Sequence, residues 1–134
     1  MAKLNRFIAT YSDNIRALNI SCDENTVPPK AVIWRFVRLF RDIDDVRCQA
    51  MIDYPLVEII LIAFLAVLAN ASTWVEIESF GKSKQRWLKK FIRLKNGIPS
   101  HDTFRRVFSL IDTEQLQKAT VTFLLEIITA IKKS

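Results

Sequence analysis

Asn96-Gly97-Ile98-Pro99-Ser100-His101-Asp102-Thr103-Phe104-Arg105-Arg106-Val107-Phe108 spells out a helix start. Gly97 and Pro99 interrupt the backbone, and Ser100 offers a hydroxyl as N-cap. Asp102 places a carboxylate in the first turn, where it complements the helix dipole. Phe104, Val107, Phe108 and Ile111 then recur at i, i+3, i+4 and i+7, one apolar stripe. Arg105 and Arg106 fall off that stripe. A sharply started helix with outward arginines suits presentation to a phosphate backbone. It equally suits a capped core helix with solvated arginines, because any small helical domain needs such starts.

Upstream of this start the charge pattern is one-sided. No acidic residue lies between Glu78 and Asp102, while Lys82, Lys84, Arg86, Lys89, Lys90, Arg93 and Lys95 all fall in that interval. These uncompensated cations exceed the net charge of the whole chain, +6. Trp87, Leu88 and Phe91, continued by Leu94, predict a helix with one apolar side and its lysines splayed outward. Such a basic face neutralises phosphates and gives sequence-independent affinity. The plainer reading is a solubilising surface or a site for an acidic protein partner. The spacing predicts a helix-turn-helix-like pair, the basic helix 82–95 followed by the helix 100–111. The candidate DNA-binding set is Lys82, Lys84, Arg86, Lys89, Lys90, Arg93, Lys95, Ser100, His101, Arg105 and Arg106.

The remaining periodicities are also helical. Leu4, Phe7, Ile8, Tyr11, Ile15 and Leu18 mark a first amphipathic helix, followed by a polar linker from Asn19 to Pro29. Ile33, Phe36, Val37 and Phe40 mark a second, with Trp34, Arg35, Arg38 and Arg41 around it. Asp42 to Tyr54 reads as an acidic, irregular segment. Pro55 suits the first turn of a third helix, from about Leu56 to Ala69. Its run Ile59 to Ala69 is apolar throughout, short of the roughly 20 residues that span a membrane, and predicts a buried central helix. Thr73-Trp74-Val75-Glu76 has capping-box form and opens a fourth helix carrying Trp74, Ile77 and Phe80, ended or kinked by Gly81. Asp112-Thr113-Glu114-Gln115 caps a last helix with Leu116, Ala119, Phe123, Ile127 and Ile131, closing on Lys132 and Lys133.

Composition agrees with that pattern. A chain of 134 residues with 50% hydrophobic residues, nine Phe and three Trp can bury a core, and two Gly and four Pro leave little turn material for a sheet. The expected fold is an all-α, compact bundle of six or seven helices with a helix-turn-helix-like C-terminal half. Trp74, Trp87, Phe104 and Phe108 are expected as core anchors, not base-stacking groups.

Catalytic chemistry has little to stand on. His101 is the single histidine, so neither a catalytic triad nor a zinc site is indicated, and Cys22 and Cys48 stand alone without a CxxC. There is no glycine-rich phosphate loop. Asp42, Asp44 and Asp45 lack the glycine and terminal glutamate of a calcium loop, and a capping or pairing role with Arg41 and Arg47 is expected instead. No cofactor and no metal are expected. The N-terminus is polar where a signal peptide needs an apolar core, which predicts a cytoplasmic protein.

The ordered combination of several segments resembles a known family. These are Asp45-Val46-Arg47, Tyr54-Pro55-Leu56-Val57-Glu58-Ile59-Ile60-Leu61, Ala66-Val67-Leu68-Ala69, Ser72-Thr73-Trp74-Val75-Glu76-Ile77-Glu78-Ser79-Phe80-Gly81, Trp87-Leu88 and Asn96-Gly97-Ile98-Pro99-Ser100-His101-Asp102-Thr103-Phe104. From about Phe36 to Phe123 the chain is similar to the N-terminal domain of a bacterial insertion-sequence transposase family, the one that includes the H-repeat-associated proteins beside Rhs elements. Val46 stands where that family usually has Pro, Asn70 where it usually has Gly, and Arg105 where Gly is common. In the family this domain precedes a catalytic domain of RNase H-like fold that begins at an Asp-Gly-Lys motif and carries metal-binding acids. That motif is missing here, so the resemblance carries over no catalytic residue and implies a remnant or fragment.

The resemblance and the charge pattern together imply a non-catalytic DNA-binding or accessory domain, residues 28–134, preceded by an N-terminal helix and linker, residues 1–27. The expected partner is DNA, with a homodimer or an intact transposase as a further partner, and neither a membrane nor a small-molecule substrate. The alternative is a protein–protein module for dimerisation, or for regulation or inhibition of an intact transposase, without DNA affinity of its own.

Overall fold

The computed structural model describes residues 30–47 and 52–133. Six helices follow one another in these residues: α1 Lys30–Phe40, α2 Leu56–Leu68, α3 Trp74–Ser83, α4 Gln85–Leu88, α5 His101–Leu110 and α6 Thr113–Lys133. No strand occurs among the described residues, so the all-α expectation is met. The expected first helix, Leu4 to Leu18, and its linker lie outside the described residues, as do the side chains of Ile127 and Ile131.

α2 is the centre because its sequence leaves almost no polar face. Ile59 through Val67 are all buried. α1 packs on it from one side and α3 from another; α6 then packs on α1, and α5 on α3. The α1–α2–α6 half is sealed by phenylalanines. Phe36 and Phe40 stack at 4.1 Å between ring centroids, and Phe123 sets its edge against Phe36 at 5.5 Å and Phe64 at 5.8 Å. Such offset and edge-on pairs contribute beyond their buried area. In the α3–α5 half, Trp74 meets Phe108 at 5.4 Å, with Ile77, Phe104 and Val107 buried beside them.

Local chemistry sets the helix ends. The Thr73 hydroxyl accepts the Glu76 N–H at 3.1 Å while the Glu76 carboxylate accepts the Thr73 N–H at 3.2 Å, closing the expected capping box. Asp112 accepts the N–H groups of Glu114 and Gln115 at the start of α6. α2 ends in a Schellman motif: Asn70 has φ 73°, its N–H bonds the Val67 carbonyl at 2.9 Å, and the Ala71 N–H bonds the Ala66 carbonyl at 2.9 Å. Asparagine is the side chain best tolerated after glycine at that left-handed position, which accounts for Asn70 where glycine is usual.

Two sequence expectations are corrected. Gly81 does not end its helix; it lies inside α3 and is buried. A Cβ there would stand 2.7 Å from Ile98 Cγ2 and 3.4 Å from Ile62 Cγ2, so glycine lets the 98–100 segment close against α3. Gly81→Ala is therefore expected to lower stability by about 1–2 kcal/mol, the packing strain outweighing the gain in helix propensity. In an Ile98→Ala background the same substitution should be neutral or stabilising in urea melts, and equal destabilisation in both backgrounds would contradict this account.

The second correction concerns residues 82–95, which do not form one helix. α3 ends at Ser83, α4 has four residues, and the chain then turns. Helical structure is interrupted at Lys84 and ends after Leu88; further on, Leu94, a non-glycine residue at φ 48°, donates its N–H to Glu58 Oε1 at 2.9 Å. The left-handed backbone costs roughly 1–2 kcal/mol. Burial of the Leu94 side chain and the bond to α2 offset it.

Candidate nucleic-acid interface

The basic residues divide into two classes that their spacing does not separate. Lys84, Arg86, Lys89, Lys90, Arg93 and Lys95 have no ion-pair partner among the described residues, and all but the half-buried Lys84 are exposed. They occupy α4 and the turns around it, anchored from beneath by buried Trp87, Leu88 and Leu94. Phe91 completes the anchor with its ring edge-on to Trp87 at 5.2 Å.

The other class is already paired. Lys82 was expected to be uncompensated, but its Nζ donates to Glu78 Oε2 at 2.6 Å, so the carboxylate one turn earlier neutralises it. Arg105 donates to Asp102 at 2.8 Å, and Arg106 lies 3.6 Å from the same carboxylate. Both arginines point outward, as expected, and share one acid. Asp102 is held below the ordinary carboxylate range, chiefly by its hydrogen bond from Arg105.

Ser100 and His101 serve the start of α5. The Ser100 hydroxyl accepts the Thr103 N–H at 3.3 Å. The His101 N–H goes to Glu78 Oε1 at 2.6 Å, and its Nδ1 lies 3.0 Å from the same oxygen. Glu78 thus caps α5 from α3 and carries Lys82 as well, a role its position among Ile77, Ser79 and Phe80 does not advertise. Ser100→Ala should cost about 1 kcal/mol through loss of the cap, measurable as a lower urea midpoint at unchanged m-value.

Glu78 is only 18% exposed, and the hydrogen bond from Lys82, followed by those from His101, brings its pKa down to about 2. A carboxyl group whose pKa is depressed by folding contributes stability above its unfolded pKa and loses it as pH falls through the folded one. The α3–α5 link should therefore weaken between about pH 4.5 and 2. Glu78→Gln is expected to flatten the acid limb of the melting temperature against pH, and an unchanged limb would show that the link is energetically silent.

Two of the aspartates after α1, Asp44 and Asp45, are used internally. Asp45 pairs with Arg47 at 2.6 Å, and its hydrogen bond from Arg47 lowers its pKa. Asp44 exchanges hydrogen bonds with Gln115 at 2.8 and 3.0 Å, tying the loop to α6. Among the described residues no group of His, Cys, Asp and Glu is placed to hold a metal ion, and no helix is long and apolar enough to cross a membrane. The four expected anchors are all buried: Trp74, Trp87, Phe104 and Phe108. Trp34, absent from the candidate set, is 69% exposed and lines a groove with Ile33, Val37, Lys90 and Phe91. Its signal was legible: an aromatic residue off the apolar stripe of α1, among arginines.

The described residues form a six-helix domain with a surface run of cations that have no ion-pair partner among them. The chain belongs to the DDE_Tnp_1-associated family, whose pattern matches residues 37–124. It is 50% identical over 66 residues to an uncharacterized protein in the dhlA 3′ region of Xanthobacter autotrophicus, covering 49% of this chain and 22% of the relative. It is 33% identical over 84 residues to the Escherichia coli K12 protein named "H repeat-associated putative transposase YbfD", covering 63% of this chain and 33% of that one. It is 38% identical over 65 residues to the inactive transposase YbfQ of the same strain, 48% of this chain and 77% of that relative. The chain thus spans about a fifth to a third of the first two relatives. No solved structure matches it. The protein is transposase-related, and the resemblance drawn from its sequence segments is confirmed.

Proposed function

We propose that residues 28–134 form a non-catalytic accessory domain that engages duplex DNA in an insertion-sequence transposase. The observation that carries this reading is the set of six cations from Lys84 to Lys95 that have no ion-pair partner among the described residues. Unpaired surface cations retain their counterions until a polyanion displaces them, and release of those counterions supplies the affinity. In this reading α3 and α5, which pack together, form the helix-turn-helix-like unit, and the basic segment between them positions the domain on the phosphates. Arg105 and Arg106 are the groups that could reach base edges, at the cost of leaving Asp102. Membership of a transposase-associated family supports the reading.

The test is binding of the whole chain to mixed-sequence duplex DNA at several salt concentrations. Affinity that falls linearly in a log–log plot supports the proposal. Self-association insensitive to salt, without DNA binding, supports the alternative of a dimerisation or regulatory module. The exposed apolar residues Val75, Leu110 and Leu125 are the observation in favour of that second reading.

A further inference from the structure

We propose that the groove between α1 and the chain following α4 is a stacking site for an unpaired base of single-stranded DNA, with Trp34 as its platform. The groove encloses about 290 Å³ and is lined by Ile33, Trp34, Val37, Lys90 and Phe91. α1 does not need Trp34 for packing, since Ile33, Phe36 and Phe40 already bury its inner side. The indole sits instead beside Arg35 and Arg38, which pair with Glu126 on α6. Phe91 adds a half-buried ring, and Lys90 adds an exposed ammonium with no ion-pair partner among the described residues.

An exposed aromatic face, a concave apolar lining and adjoining free cations are what a single strand uses: bases stack on the ring while phosphates follow the charge. A duplex keeps its bases stacked on one another and offers them no such face. The cationic rim also decides between occupants. A second copy of this chain carries a net charge of +6, which opposes the cationic rim, whereas a single strand brings a phosphate with every nucleotide. The inference rests on the proposed function in placing DNA along the basic segment, and extends it to unpaired strands.

Intrinsic fluorescence of the full chain tests it, because Trp74 and Trp87 are buried and acrylamide reaches Trp34. Adding a short oligothymidylate should quench Trp34 and shield it from acrylamide. Trp34→Ala should weaken oligothymidylate binding by about 5-fold to over 100-fold, with duplex affinity and the melting midpoint unchanged. Trp34→Tyr should restore most of it. Oligothymidylate binding that leaves Trp34 emission unaltered, or that Trp34→Ala does not weaken, would overturn the proposal. So would Trp34 already shielded in the free protein, by the N-terminal segment if independent of concentration or by a second copy if not. Absence of binding to any DNA would overturn the proposed function as well, whereas duplex binding without the Trp34 effect overturns the stacking site alone.

Discussion

Trp87→Ala is expected to destabilise the protein by about 3–5 kcal/mol, the range for truncating a buried aromatic residue. Trp87 is 2% exposed and belongs to a helix of only four residues, which has no propensity-based stability of its own. What holds that helix is the side chain beneath it, with Leu88 and Leu94. The expected signature is a melting temperature lower by more than about 10 °C, with weakened DNA binding because the basic segment loses its anchor. Trp87→Phe should cost less. The indole Nε1 has no hydrogen-bond partner among the described residues, so that substitution removes volume together with a buried donor. If Trp87→Ala melts like the parent, the anchor role is wrong and the segment is held by its backbone bonds alone.

The second large effect belongs to the cations. Replacing Lys89, Lys90 and Arg93 together by Gln should reduce the log–log salt slope of duplex binding by roughly 0.9 for each phosphate no longer neutralised, close to eightfold in affinity per phosphate at about 0.1 M salt. The weakening should be about equal for all duplex sequences, and stability should stay within about 0.5 kcal/mol of the parent, since these side chains are exposed and have no ion-pair partner among the described residues. Arg105→Gln and Arg106→Gln should change affinity less, because Asp102 already offsets both charges. A shift in sequence preference in these two variants, without a uniform loss of affinity, would mark them as base-reading groups. Unchanged binding of the triple variant at every salt concentration would reduce the basic segment to a solvated surface and bring the protein-partner reading forward.

Transposase relatedness and the lack of internal partners bear on different questions. Relatedness says where in a larger machine such a domain belongs, and the chain covers only a fraction of the longer relatives. The unpaired cations say which surface could do the work.

Much of this protein was written locally. The caps at Thr73, Ser100 and Asp112, the apolar stripes of α1, α5 and the described part of α6, and the centrality of α2 follow from residue types within one or two turns of each other, where backbone donors and helical periodicity leave few options. The family resemblance was legible for the same reason, as an ordered series of such local signals. The rest depended on partners distant in sequence. Glu58 on α2 accepts the Leu94 N–H and so ties the chain that follows the short α4 to the centre of the fold, which no periodicity in residues 82–95 reveals. Ile98 folds over Gly81 and turns an expected breaker into a packing site. Glu78 crosses from α3 to cap α5 and takes Lys82 out of the set of free charges, while Lys90 and Phe91 meet Trp34 across a groove. Periodicity records which side of a helix is apolar; which charges remain free is decided by carboxylates that only the tertiary fold brings within hydrogen-bond reach.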